Sequence, residues 1–245
     1  MKDALQDIVQ HTHGLGSIDL IKIVGDSDNT VLNAITEDRS VILDARFHNP
    51  IPEFIGTFGM PNLSKLNIIL NIPEYKEDAK IVITRQKMPD GTMSPSGIDF
   101  ENKSGDFKNS YRFMLANVVN DKLKTVKMRG TVNWDIEIEP AVNSIQKLRF
   151  QAQANSDETS FIAKTENGNL EFHFGDKSSH AGDFVFYSGT SGKLTTGHSW
   201  PVKVFLDILM LPGDKMMRFS SQGAAQIAVD SGIALYSYTI PALTK

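Results

Sequence analysis

His11 and His13 stand two residues apart and are the first residues whose types could bind a metal ion. On a helix that spacing points them in different directions, and no carboxylate cluster lies nearby in sequence, so they read as a solvated helix end. Asp26-x-Asp28 opens like a calcium loop, but the third acidic ligand, the central glycine and the closing glutamate are missing. It reads as a turn. Gly14-x-Gly16 lacks the third glycine of a dinucleotide fingerprint and follows a helix instead of a strand. Gly189-Thr190-Ser191-Gly192 lacks the spacing of a nucleophile elbow, and neither a Walker loop nor a His-Glu-x-x-His motif occurs. Asp135, Glu137 and Glu139 alternate, as on the wet face of a half-buried strand. A site assembled from distant positions, such as His173, Asp176 and His180, is the weakest of the readings. The expectation is a protein that is not an enzyme, with no cofactor and no bound metal.

The elements that carry these residues follow from periodicity. Leu5, Ile8 and Val9 share a helical face, which predicts a helix over 1–10 stopped by Gly14-x-Gly16. Strands are predicted over 18–24, 31–35 and 41–47, a helix over 51–58 behind Asn49-Pro50, and strands over 66–72, 79–84, 98–100 and 111–115. A long loop is expected from Met88 to Gly105, and a weakly patterned connector from 116 onward. The order of elements then returns: a strand over 131–138, a helix over 141–154, strands over 159–165, 169–174 and 183–187, a helix over 201–210, and strands over 215–220, 224–229 and 232–238. The chain therefore reads as α+β, with two similar domains at 1–116 and 131–245 joined by a connector at 117–130. Each has two helices packed on antiparallel sheet.

Composition narrows the class. A chain of 245 residues, 40% hydrophobic and 22% charged, has enough apolar surface for two ordinary cores. The absence of cysteine excludes disulfides, thiolate nucleophiles and cysteine-ligated metal centres. No apolar run approaches the roughly 18 residues that span a bilayer, so no membrane partner and a cytoplasmic location are expected. A net charge of −4 argues against a broadly basic reader of DNA; any polyanion must meet a segregated patch.

Such a patch is available on the helices. Over 141–154, Val142, Ile145, Leu148 and Ala152 form an apolar stripe. Asn143, Ser144, Lys147 and Gln151 fill the opposite face, Arg149 lies at the stripe's edge, and no acid interrupts the helix. The helix over 201–210 is apolar almost throughout, with Lys203 and Asp207 as its only charged line.

Leu209-Met210-Leu211-Pro212-Gly213-Asp214-Lys215 through Gln222-Gly223-Ala224-Ala225 resembles a segment of the DNA polymerase sliding clamps of T-even-type bacteriophages. Ile145-Gln146-Lys147-Leu148-Arg149, followed by Phe161-Ile162-Ala163 and the Gly168 turn, is similar to the first helix and hairpin of their second domain. In the first half, 51–70 fits their second helix and following strand, while the loop from Met88 to Gly105 departs from them.

The resemblance implies a DNA clamp fold that assembles head to tail into a ring, two domains per chain giving a homotrimer. It implies a processivity factor that encircles double-stranded DNA without reading its sequence, tethers the DNA polymerase and depends on a clamp loader, in the cytoplasm of an infected bacterium. Lys147, Arg149, Lys203 and Lys2 become DNA-lining candidates. Val126, Met128, Tyr238 and Ile240 become candidates for a pocket that receives partner peptides. Lys122, Lys124, Lys127 and Arg129 would lie on the outer rim. A phage structural or assembly protein rich in antiparallel strands is the alternative.

Overall fold

The computed structural model describes residues 1–88, 91–124, 131–176, 178 and 180–243. Two compact units emerge, one of Met1–Lys127 with Ser231–Tyr236 and one of Met128–Asp230 with Ser237–Lys245.

In the first unit, α1 (Lys2–His11) buries Ala4, Leu5, Ile8 and Val9 and exposes Asp3, Gln6 and Gln10. A single 3-10 turn follows and closes at Gly16, which adopts the left-handed conformation. Strands β1 (Leu20–Gly25), β2 (Thr30–Ile35) and β3 (Ile42–Phe47) form an antiparallel meander. Asp26 builds the first of its turns by accepting the N–H groups of Asp28 and Asn29 at 2.8 and 2.7 Å. Those bonds hold its carboxyl below the usual carboxylate range, and the calcium-loop resemblance has no further content.

The next stretch reverses the expected order. A Pro52–Phe54 turn gives way at Gly56 to β4 (Gly56–Pro61), which pairs antiparallel with β1. The helix comes afterwards, as α2 (Leu63–Leu70). Its run Leu66-Asn67-Ile68-Ile69-Leu70 is apolar enough to pass for a buried strand. Leu63, Leu66, Ile69 and Leu70, however, are the buried positions, which is helical spacing. Asp19 caps this helix, its Oδ1 accepting the Ser64 N–H at 3.2 Å, and α1 packs beside it.

A three-stranded sheet of β5 (Lys80–Lys87), β6 (Met93–Glu101) and β7 (Lys108–Arg112) completes the unit. The expected long loop is therefore mostly strand. Pro95, which has no N–H to offer a ladder, sits where the β5–β6 register shifts. Segment 114–115 forms β8 (Met114–Leu115), and the expected connector begins as a short helix, α3 (Ala116–Lys122), with Val119 buried over β4. The larger sheet of this unit runs β8-β4-β1-β2-β3.

His11 is not a solvated helix end. It is 1% exposed and stacks on Tyr236 with ring centroids 4.5 Å apart. Asp7, also buried, accepts hydrogen bonds from the hydroxyls of Tyr236 at 2.8 Å and Ser231 at 3.0 Å. A buried carboxylate needs such donors, and they fasten α1 to the 231–236 segment of the same unit.

In the second unit, β9 (Ile136–Ile138) is shorter than its apolar run suggested. The polar residues before it are engaged elsewhere: Asp135 accepts the Ser221 N–H and the Asn133 N–H donates to Gln222. Helix α4 (Val142–Ala154) leads to β10 (Ser160–Glu166), β11 (Asn169–Gly175) and β12 (Ala181–Ser188), then β13 (His198–Pro201) and α5 (Val202–Leu209). Strands β14 (Asp214–Ser220), β15 (Ala224–Asp230) and β16 (Ala234–Pro241) follow. One sheet runs β12-β11-β10-β13 and the other carries β16-β15-β14-β9. The core is aromatic: Phe161, Phe172, Trp200, Phe205 and Phe219 are all buried, and Phe205 brings α5 edge-on to Phe161 at 5.1 Å. Gly182 lets α4 lie close to β12, since a Cβ there would meet Gln151 Oε1 at 2.4 Å. Each unit thus pairs two principal helices with antiparallel sheet.

Candidate nucleic-acid interface

The outward faces of the helices are the surfaces on which the lining candidates stand. On α4 the core positions are Ile145 and Leu148, and the exposed side carries Asn143, Lys147, Arg149 and Phe150. Lys147 and Arg149 are exposed, and neither has an ion-pair partner among the described residues. Val142 was expected in the apolar stripe but is 76% exposed, because the helix begins there and the core engages only from Ile145.

Lys203 stands on the exposed side of α5 and pairs with Asp207, one turn on, at 2.5 Å. Both groups reach solvent, and an exposed pair of this kind is worth only about 0–1 kcal/mol, so the ammonium is free to exchange Asp207 for a phosphate. Lys2 is committed differently: its Nζ donates to the carbonyls of Tyr75 at 2.6 Å and Lys76 at 2.9 Å, which ties the start of α1 to the turn after α2.

One cation escaped the sequence reading. Lys65 is exposed on α2 without an ion-pair partner among the described residues, and reading 66–72 as a strand hid it. A helical reading of Leu63, Leu66, Ile69 and Leu70 would have placed Lys65 on the opposite, polar side.

The candidates therefore do not behave alike. Lys147 and Arg149 share one acid-free helix, Lys203 keeps a weak local partner, and Lys2 works as a backbone fastener. What the exposed group offers chemically is positive charge to phosphates, a contact that carries no base identity.

Of the four pocket candidates, Val126 and Met128 lie outside the described residues, as do Lys127 and Arg129 of the basic run. Tyr238 and Ile240 are wholly buried in the second unit and present no surface to a peptide. An open crevice of about 940 Å³ does exist in the first unit, lined by Ile35, Glu37, Arg39, Pro61, Met114 and Leu123 among others. The exposed Lys122 and Lys124 stand at its rim.

No protein-family model matches the chain, and no curated protein matches it in sequence. Solved structures do. The PCNA of Thermococcus kodakaraensis superposes with a TM-score of 0.66 at 13% identity, over 98% of this chain and 97% of its own. The PCNA of A. fulgidus, solved with the C-terminal region of FEN-1 bound, superposes with a TM-score of 0.69 at 8% identity, over 100% of this chain and 97% of its own.

The chain has the DNA clamp fold. The likeness runs from end to end of both chains. At 8–13% identity the shared features are the layering and the element order, and the side chains of the clamp's surfaces must be judged on this chain alone.

Proposed function

We propose that this protein is a sliding clamp: three copies join head to tail around duplex DNA and tether a DNA polymerase to it, without catalysing a reaction themselves. The observation that carries the reading is the end-to-end likeness to two clamps. The charge distribution supports it. On a chain of net charge −4, α4 and α2 expose Lys147, Arg149 and Lys65 with no acid on either helix, which suits helices that hold phosphates loosely.

Self-association has physical support in each unit. Strand β12 ends its sheet, and its sequence Ala-Gly-Asp-Phe-Val-Phe-Tyr-Ser contains no lysine, arginine or proline to guard the free edge. Beside it, α4 exposes Val142 and Phe150. In the first unit β8 also ends its sheet, and α2 exposes Ile68. Two different surfaces of this kind are what a heterologous, ring-closing contact requires.

The polymerase, a clamp loader and other partners would engage through short apolar segments, and the crevice at Ile35, Pro61, Met114 and Leu123 is the surface open to them. We further propose, from the residue resemblance to T-even-type clamps, that this activity belongs to an infected bacterial cytoplasm. Native mass spectrometry tests the assembly. A particle of three times 27.1 kDa is expected. A monomer, or an open-ended ladder of polymers, would favour a structural or assembly role instead.

A further inference from the structure

Strand β11 alternates sharply. Leu170, Phe172 and Phe174 enter the core, while Glu171 and His173 share the opposite face. Across the hairpin, Glu166 ends β10 on that same side. One donor atom from each of Glu166, Glu171 and His173 lies within 4.8 Å of the others.

Two features of this group are unusual for a merely solvated sheet face. The Nε2 of His173 is shielded from water and has no hydrogen-bond partner among the described residues; Glu171 Oε2, at 3.6 Å, is too distant to supply one. Buried imidazole nitrogens are ordinarily satisfied. In addition, among the described residues no lysine or arginine pairs with either glutamate, and the one ion-pair contact of Glu171 is His173 itself. Lys164 faces Glu171 in the strand register, yet no ion pair joins them among the described residues. Asp183, exposed on β12, stands opposite His173 and adds a further carboxylate to the face.

We propose that Glu166, Glu171 and His173 form a binding site for a divalent transition-metal cation of the zinc type. The donor set is one imidazole nitrogen and two carboxylates without sulfur. It suits Zn²⁺, Co²⁺ or Mn²⁺, whereas Mg²⁺ and Ca²⁺ favour oxygen alone. Ligands of a tetrahedral zinc lie about 3.3 Å apart, so the donors must draw in from their present spacing. Glu166 is exposed and can swing to do so, while the paired strands hold Glu171 and His173. A fourth position remains for water or for Asp183. Bound there, the ion would clip β10 to β11 and stabilise the folded chain by mass action. This inference is independent of the DNA-clamp reading.

The test uses the full chain without an affinity tag, stripped by a chelator and titrated calorimetrically with ZnCl₂. Parallel titrations use CoCl₂, followed by visible absorbance, and MgCl₂. One zinc per chain is expected, with a rise in the unfolding midpoint and a cobalt ligand-field band. The isosteric variants Glu171→Gln and Glu166→Gln should each weaken zinc at least about tenfold, and His173→Gln should abolish the cobalt band. Three results overturn the proposal: no heat and no midpoint shift at millimolar zinc, equal affinity in Glu171→Gln and the parent, or magnesium binding as tightly as zinc.

Discussion

Replacing Lys147 and Arg149 together by glutamine removes the two unpaired cations of α4 while keeping side chains of similar length and helix propensity. Both residues are exposed, so the cost in folding should stay within about 0.5 kcal/mol. The effect on DNA is far larger if the helix faces the duplex. Three copies per ring make six cations, and each phosphate neutralised contributes about 0.9 to the slope of log K against log salt, so the slope should flatten by about 5. Between 50 and 200 mM salt, a fourfold change, that amounts to about a thousandfold difference in lost affinity between parent and variant. Fluorescence anisotropy of a short labelled duplex, repeated at several salt concentrations and with two unrelated sequences, measures it. The sequences should behave alike, because phosphates carry no base identity. A variant that remains trimeric with an unchanged slope would remove α4 from the DNA path and refute the reasoning.

Three further outcomes concern the fold. Gly213 has φ +114° and a Cβ there would stand 2.3 Å from the Asp230 carbonyl oxygen; Gly213→Ala should cost at least about 2 kcal/mol in denaturant unfolding, from strain and overpacking together. Asp7→Ala removes the buried carboxylate that accepts from the Tyr236 and Ser231 hydroxyls and should cost about 2–4 kcal/mol, whereas Asp7→Asn, which keeps an acceptor oxygen, should cost clearly less. Burial, with the Asp19 charge second, raises the Tyr111 phenol above its ordinary value. Its contribution to stability is therefore complete below about pH 10, where unfolded tyrosine is still protonated, and is lost as pH rises from there. Denaturant midpoints measured across that range should fall less steeply in Tyr111→Phe than in the parent.

The sequence disclosed most where one period dominated. Helix α4 was plain because Ile145 and Leu148 are spaced for a helix and no glycine or proline intervenes. Strands β10 and β11 were plain because Phe161, Ala163, Leu170, Phe172 and Phe174 alternate and Asn167-Gly168 marks the turn between them. Legibility failed where local and tertiary signals disagreed. Pro52 started a helical turn that Gly56 and pairing with β1 ended at once, while the apolar run after Leu66 satisfied strand and helix patterns alike. That exchange concealed Lys65. Tyr238 and Ile240 show the converse limit: their residue types suit a peptide pocket, but alternation along β16 delivers both to the core. His11 and Asp7 look solvent-bound in isolation, and only the distant Tyr236 and Ser231 make them a buried pair of acceptor and stacked ring.

The central claim is topological, and a blocked-end experiment tests it most directly. The protein is threaded onto a linear duplex whose two ends are then capped with bulky protein blocks, and its retention is measured in salt high enough to abolish phosphate contacts. Encirclement predicts that it stays on the capped duplex and leaves as soon as an endonuclease cuts between the blocks. Equal retention on capped and open duplex, or loss from both, would contradict it.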